Sequence, residues 1–138
     1  MVDLAMPGED VARCRTQCAG VKMPITTKYL FMVSMDVMEE KEALFNEVYD
    51  TEHVPLLLKV PGVRAVSRMK TEPAAFTIGG ERKVLDGGSE PHYVALYEID
   101  SPDVLLSKEW AEAVEKGRWP GEVRPFTSNR RHVLRKII

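Results

Sequence analysis

The groups best suited to proton transfer lie together in one short segment. Residues 49–55 read Tyr-Asp-Thr-Glu-His-Val-Pro, with a tyrosine, two carboxylates and a histidine within five positions. His53 follows Tyr49 by four residues, so in a helix both side chains lie on the same face. Imidazole titrates near neutral pH and can act as general acid or base, while a tyrosine hydroxyl can donate a hydrogen bond to a substrate oxygen. We therefore take His53 and Tyr49 as the candidate catalytic residues.

Each of these groups also has a structural interpretation. A histidine at a helix end is favoured in its positive form by the helix dipole. Tyr49 could be a core residue with its hydroxyl at the rim. Asp50 and Glu52 could simply be solvated, and Glu52 could alternatively pair with a strand arginine such as Arg68 or Arg131. The residues alone leave both interpretations open.

Basic and aromatic residues in the second half of the chain are candidates for binding a substrate. From residue 118 onward the basic residues outnumber the acids, of which Glu122 alone occurs. Arg131 or Arg124 could hold a substrate carboxylate, because guanidinium binds carboxylate through two hydrogen bonds. Charge pairing within or between subunits is the alternative. Tyr97 and Trp119 could line a site for a flat apolar ligand, or they could simply pack in the core.

The composition argues against several classes of partner and cofactor. A net charge of −2 gives no general attraction to nucleic acid or to an anionic membrane, and no apolar run approaches the roughly 20 residues needed to span a bilayer. No phosphate-binding glycine motif is present, and the three histidines are scattered over different elements. Cys14 and Cys18 could be a metal or redox pair or two free thiols, and they precede the predicted fold. We expect no cofactor and no metal, and a cytoplasmic location because an apolar secretory signal is missing.

Hydrophobic patterning predicts one domain over residues 28–138, preceded by an N-terminal extension over residues 1–27 that is partly mobile. The predicted elements are a buried strand over 29–35, a regular helix over 39–52 that Pro55 ends, with room for a looser turn through 56–58, and a strand over 63–71. A long loop over 72–91 leads to an apolar strand over 92–100. A helix over 102–116, broken near Ser107, a loop over 119–128 and a strand over 129–138 complete the order β-α-β-β-α-β.

This order predicts where the strands and helices lie. Right-handed crossovers place the first and third strands in the centre of the sheet and both helices on one face. The other face keeps too many apolar side chains to leave in water. We therefore expect a homodimer in which the open sheet faces pack together.

The motif Y-D-x-E-H-x-P at residues 49–55, followed by V-P-G at residues 60–62, resembles the dimeric α+β barrel superfamily, close to its EthD-like branch. The segments Y-E-I-D-S-P at 97–102 and S-x-x-W at 107–110 fit the same pattern. The resemblance covers residues 28–138. It implies an α+β fold of ferredoxin-like type, an antiparallel sheet with two helices on one face, and a histidine at this motif that faces a cavity. Relatives include cofactor-free isomerases and cyclases of aromatic or lactone substrates, small monooxygenases and stress-responsive proteins.

The leading functional hypothesis is a cofactor-independent enzyme of isomerase, cyclase or lyase type. It would transfer protons on a small aromatic or oxygenated carboxylic compound, with His53 as acid or base, Tyr49 as hydrogen-bond donor and Arg131 or Arg124 as anchor. The alternative is a non-catalytic dimer that binds a small molecule or serves as an accessory protein. Haem or flavin binding, known in some relatives, is a third option. A cavity beside His53 would favour the first, and a solidly packed site the second.

Overall fold

A four-stranded antiparallel sheet forms one layer of the protein. The computed structural model describes residues 24–138, so Cys14, Cys18 and most of the predicted extension lie outside the described residues. The strands of the described part are β1 (Tyr29–Val37), β2 (Val63–Lys70), β3 (Ala74–Ile78), β4 (Glu81–Leu85), β5 (Tyr93–Ile99) and β6 (Thr127–Lys136). The main sheet has the order β2-β5-β1-β6, and β3 and β4 form a separate hairpin.

Helical segments cover one face of this sheet. They are α1 (Glu42–Val48), α2 (Val54–Leu58) and α3 (Lys108–Ala113), with 3-10 turns at Glu39–Lys41, Pro102–Leu106 and Arg124–Phe126, and π-helical turns at Tyr49–His53 and Trp119–Val123. The strands of the main sheet and these helical segments follow the predicted β-α-β-β-α-β order, with the hairpin inserted between β2 and β5. The predicted ferredoxin-like α+β fold is therefore confirmed. No helix in the described part of the chain has the length and apolar character needed to cross a lipid bilayer.

Alternation along the central strands decides which side chains face the helices. In β5 every second residue, from Tyr93 to Ile99, is buried, and the residues between them are partly exposed. Phe31 of β1 lies opposite Tyr97 of β5 and shares its face. Phe45 and Val48 of α1 are fully buried against this layer. The core is thus the space between the helical face of the sheet and the helices.

Pro55 does not end the first helix, contrary to the prediction. The backbone widens into the π-helical turn Tyr49–His53, in which the N–H of Val54 donates to the carbonyl of Tyr49 five residues earlier. Pro55 then falls in the first turn of α2. A proline is tolerated there because a backbone donor in a first turn needs no partner within that helix. The helical segment therefore runs on to Leu58.

The predicted loop over residues 72–91 contains the β3–β4 hairpin. Gly79 and Gly80 have φ angles of 60° and 79°, which suits a two-residue hairpin turn with both residues in the left-handed region. All ten strand residues are exposed, so no buried face imposes the alternation by which strands are recognised in a sequence. The predicted loop over 119–128 is likewise helical in part, and β6 begins at Thr127 rather than Asn129.

Candidate functional site

A cavity of about 250 Å³ lies between the sheet and the helical layer, beside His53. Its walls come from β1, β5 and β6 on one side and from the two π-helical turns and α3 on the other. The polar and aromatic residues that line it are Phe31, Tyr49, His53, Tyr97, Trp110, Trp119, Arg124, Arg130 and His132. The cavity therefore brings together five of the residues selected from the sequence: His53, Tyr49, Tyr97, Trp119 and Arg124.

The two π-helical turns face each other across this site. Tyr49 and His53 are the first and last residues of one turn, and Trp119 begins the other. The His53 ring stacks on Trp119, with ring centroids 4.5 Å apart and planes 23° apart, and it meets the edge of Tyr49 at 5.1 Å. Such turns occur frequently at functional sites, because the extra residue redirects the side chains around it. The wide turn thus presents His53 to Trp119 and to the cavity.

His53 is held as a neutral imidazole. Its side chain is buried, with the residue only 5% exposed, and its Nδ1 atom has no hydrogen-bond partner among residues 24–138. Burial, with a further contribution from the positive charge of Arg124 and some opposition from Glu115, lowers the pKa of His53 from 6.5 to about 4. The expectation that this imidazole titrates near neutrality is therefore wrong, and so is the interpretation in which the helix dipole favours its positive form.

Tyr49 and Tyr97 form a hydroxyl pair on the cavity wall. Their Oη atoms are 3.2 Å apart, and both residues are almost fully buried. Burial raises the pKa of Tyr49 and raises the pKa of Tyr97 well above its ordinary value. The guanidinium of Arg68 lies 4.5 Å from the centre of the Tyr49 ring and opposes this rise in both. Both hydroxyls therefore keep their protons at neutral pH and can donate hydrogen bonds.

The arginines at the site differ in their existing partners. Arg124 lines the cavity, but its guanidinium donates to Glu115 and to the carbonyl of Val114, each at 2.9 Å. Arg131 does not reach the cavity and instead donates to Glu90 at 2.9 Å. Arg130 does line the cavity, and among residues 24–138 it makes no ion pair with a carboxylate.

Strand alternation explains why the sequence-based choice of Arg131 is replaced by Arg130. His132 is paired in register with Val33, and both face the cavity, so Arg131 must point to the opposite face of the sheet. The same alternation returns Arg130 to the cavity face. The period of two along a strand shows from the sequence that Arg130 and Arg131 point to opposite faces of the sheet. The pairing of β6 with β1 was needed to decide which of the two faces the cavity.

The two acids of the motif have structural partners. Asp50 accepts a hydrogen bond from Arg68 at 2.7 Å. Glu52 accepts hydrogen bonds from the backbone N–H and the side chain of Arg118, which lower the pKa of this carboxyl. The pairing of Glu52 is thus with Arg118 rather than with Arg68 or Arg131. Within residues 24–138, no three His, Cys, Asp or Glu side chains are grouped so that they could hold a metal ion.

Comparison with known proteins finds structural similarity at low sequence identity. No protein-family model matches the sequence, and no curated protein matches it either. Among solved structures, the chain is similar to the crystal structure of an EthD family protein from Bacillus halodurans C-125, with 15% sequence identity and a TM-score of 0.49. The similarity covers 80% of this chain and 99% of the other. At this level the similarity carries no conclusion about the family or the function of this chain.

Proposed function

We propose that the protein is a cofactor-independent enzyme that moves a proton within a small aromatic or oxygenated carboxylic compound. The reaction would be of isomerase, cyclase or lyase type. One observation carries the proposal: the imidazole of His53 is buried at the cavity wall with its Nδ1 unpaired among residues 24–138. A buried polar atom without a partner costs about 1–3 kcal/mol, and a bound compound would supply the missing partner.

The cavity suits a small planar acid. Its volume of about 250 Å³ falls just below the roughly 300–1,000 Å³ of pockets for drug-sized ligands. Phe31, Trp110 and Trp119 offer flat apolar walls. Arg130 supports binding of a carboxylate, because Arg124 and Arg131 are each already paired with a glutamate in the described part of the chain. We therefore assign Arg130 as the anchor of the substrate carboxylate.

In this mechanism His53 acts as the base and Tyr49 as a hydrogen-bond donor. With a pKa of about 4 in the empty cavity, His53 is a weak base. A carboxylate bound beside it would raise that pKa, because a nearby negative charge favours the protonated ring. Substrate binding would thus bring the base closer to the pH at which it must work.

Proton exchange with solvent tests this proposal and does not require that the product be identified. Small aromatic and oxo carboxylic acids would be incubated with the protein in D₂O, and loss of carbon-bound protons followed by NMR. We expect exchange in at least one compound, slowed by about 10²–10⁴-fold in His53→Gln. The matched control is His92→Gln, at an exposed histidine that is not part of the cavity lining. Equal exchange in wild type and His53→Gln would refute the assignment.

A non-catalytic binding protein is the second candidate, and the low pKa of His53 favours it. A neutral, weakly basic imidazole can accept or donate a hydrogen bond to a ligand without taking its proton. Saturable binding of a compound by wild type, weakened in Arg130→Gln but not in Arg131→Gln, with no exchange of its carbon-bound protons, would support this function over catalysis.

We also propose that the protein is a homodimer. The sheet face away from the helices carries Leu30, Met32, Met69, Val94, Leu96 and Val133. Met32 and Leu96 lie opposite each other near its centre. Such a patch is covered in most proteins. Sedimentation should give twice the mass of one chain, and Leu96→Glu should give the monomer. Leu106→Glu, at a leucine that is 87% exposed, is the control and should remain dimeric. A monomeric wild type would refute this proposal.

A further inference from the structure

The hydroxyl pair of Tyr49 and Tyr97 has one proton left to donate. Two hydroxyl groups carry two donor protons, and the 3.2 Å bond between them uses one. Among residues 24–138 neither hydroxyl has any other partner. Buried polar groups are nearly always hydrogen-bonded, so an unused buried donor on a cavity wall indicates an acceptor atom of a ligand.

The position of this donor restricts the ligand further. The centroids of the Tyr49 and His53 rings are 5.1 Å apart, and both residues line the cavity. The hydroxyl donor and the unpaired imidazole therefore border the same cavity. The guanidinium of Arg68 is hydrogen-bonded to Asp50, but its charge still opposes the rise in the pKa of both hydroxyls and so favours negative charge on this side of Tyr49. Both groups would act on a ligand in which a carbon loses a proton and a neighbouring oxygen becomes negative. The imidazole of His53 would take the proton, and the hydroxyl donor would bond to the oxygen.

We infer that the tyrosine pair is an oxyanion site and that the substrate is a carbonyl compound with an acidic C–H next to the carbonyl. This inference rests on the proposed function and narrows it to keto–enol chemistry. It also assigns Tyr97, hydrogen-bonded to Tyr49, to the hydroxyl pair that donates its remaining proton to the carbonyl oxygen. Because the two hydroxyls are held by different elements, β5 and a π-helical turn, this donor is preorganised for a developing negative charge.

The chemical step balances within the substrate and His53. A ring nitrogen of His53 takes a proton from the carbon beside the carbonyl. The C–H electron pair becomes the C=C bond, and the carbonyl π pair moves onto oxygen, which accepts the free hydroxyl proton of the tyrosine pair as a hydrogen bond. Return of the proton from His53 to the enolate oxygen gives the enol, an isomer of the substrate with the same atoms and electrons.

A phenolate is a stable mimic of such an enolate, and 4-nitrophenol absorbs differently as phenol and as phenolate. We expect wild-type protein near pH 6 to bind this probe as the phenolate. The double variant Tyr49→Phe/Tyr97→Phe, which removes both hydroxyls, should weaken binding by about ten- to a hundredfold, the range for a hydrogen bond to a charged group. Either single variant leaves one hydroxyl with a free proton and should lose less. Tyr93→Phe is the matched control, since Tyr93 lies on the same strand and face but donates to Glu42 outside the cavity. It should bind like wild type.

A second probe keeps the inference testable if a variant fails to fold. In 4-nitroanisole a methyl ether replaces the hydroxyl, so it cannot ionise, and wild-type protein should bind it more than tenfold more weakly than 4-nitrophenol. The inference is overturned if the bound nitrophenol stays neutral, if neither probe binds, if the ether binds equally well, or if the double variant Tyr49→Phe/Tyr97→Phe binds like wild type. The readout needs no turnover. Intact phenolate binding with no His53-dependent proton exchange would support the oxyanion site while refuting the proposed enzyme function.

Discussion

The buried neutral His53 should make folding stability depend on pH in a defined window. In the unfolded chain its imidazole takes up a proton near the ordinary pKa of 6.5, whereas in the folded protein it resists protonation until about pH 4. Between these values the unfolded state binds more protons, so the free energy of unfolding falls as the pH falls from 6.5 to 4. Above pH 6.5 the imidazole is neutral in both states and contributes no pH dependence.

The size of this effect follows from the two pKa values. Each pH unit inside the window corresponds to about 1.36 kcal/mol. At pH 5, one and a half units below 6.5, the loss is about 2 kcal/mol, and below pH 4 it approaches about 3 kcal/mol. Carboxyls with a lowered pKa, such as that of Glu52 beside Arg118, also lose stabilising contacts in acid. They do so in wild type and variant alike, so a comparison of the two isolates His53.

The perturbation is His53→Phe, which keeps a flat ring against Trp119 but removes the titrating group. Urea unfolding, followed by tryptophan fluorescence at pH 7 and pH 5 at one protein concentration, gives the free energy of unfolding. We expect the decrease from pH 7 to pH 5 to be about 2 kcal/mol smaller in His53→Phe than in wild type. His92→Phe, at an exposed histidine, should not reduce it to that extent. The same decrease in wild type and His53→Phe would refute the reasoning.

Two further predictions concern packing. Gly62→Ala should destabilise the protein by about 1–3 kcal/mol, because Gly62 has a φ of 93° and an added Cβ would overlap the Val104 side chain. The control Gly121→Ala, where an added Cβ meets open space, should change the melting temperature little. Equal effects of the two substitutions would contradict the assigned backbone. Phe45→Ala should lower the free energy of unfolding in urea by about 3–5 kcal/mol, because Phe45 is fully buried. The control Phe76→Ala on the hairpin, at a residue that is 44% exposed, should lower it far less. A similar loss in both variants would show that the hairpin is packed against another part of the protein or a partner.

The elements with a buried face were predictable because burial leaves a period in the sequence. The apolar runs of β1 and β5, together with right-handed crossovers, placed both strands in the centre of the sheet, as observed. Local chemistry also sufficed at Ser107, where the predicted break occurs and the side chain caps α3 by accepting the N–H of Trp110. The hairpin was missed because its strands bury no face, so pattern alone could not distinguish them from a loop.

The π-helical turns could not be predicted from local residues. A π-helical turn forms no more backbone hydrogen bonds than an α-helical turn. It is therefore retained only where tertiary packing favours the altered side-chain directions. In the first turn, this packing includes the stack of His53 on Trp119, and Pro55 is accommodated in the turn that follows. The predicted stop at Pro55 failed for this reason.

The sequence by itself determined that a histidine and a tyrosine share one helical face, and that apolar strands and helices of α+β type surround them. Residue spacing is enough for this, because backbone periods are local. Only the tertiary structure decided that a cavity opens beside His53, that the Tyr97 hydroxyl meets the Tyr49 hydroxyl, and that Arg130 rather than Arg131 faces the site. It also decided the charge of His53, because desolvation and the field of Arg124 depend on groups distant in the chain.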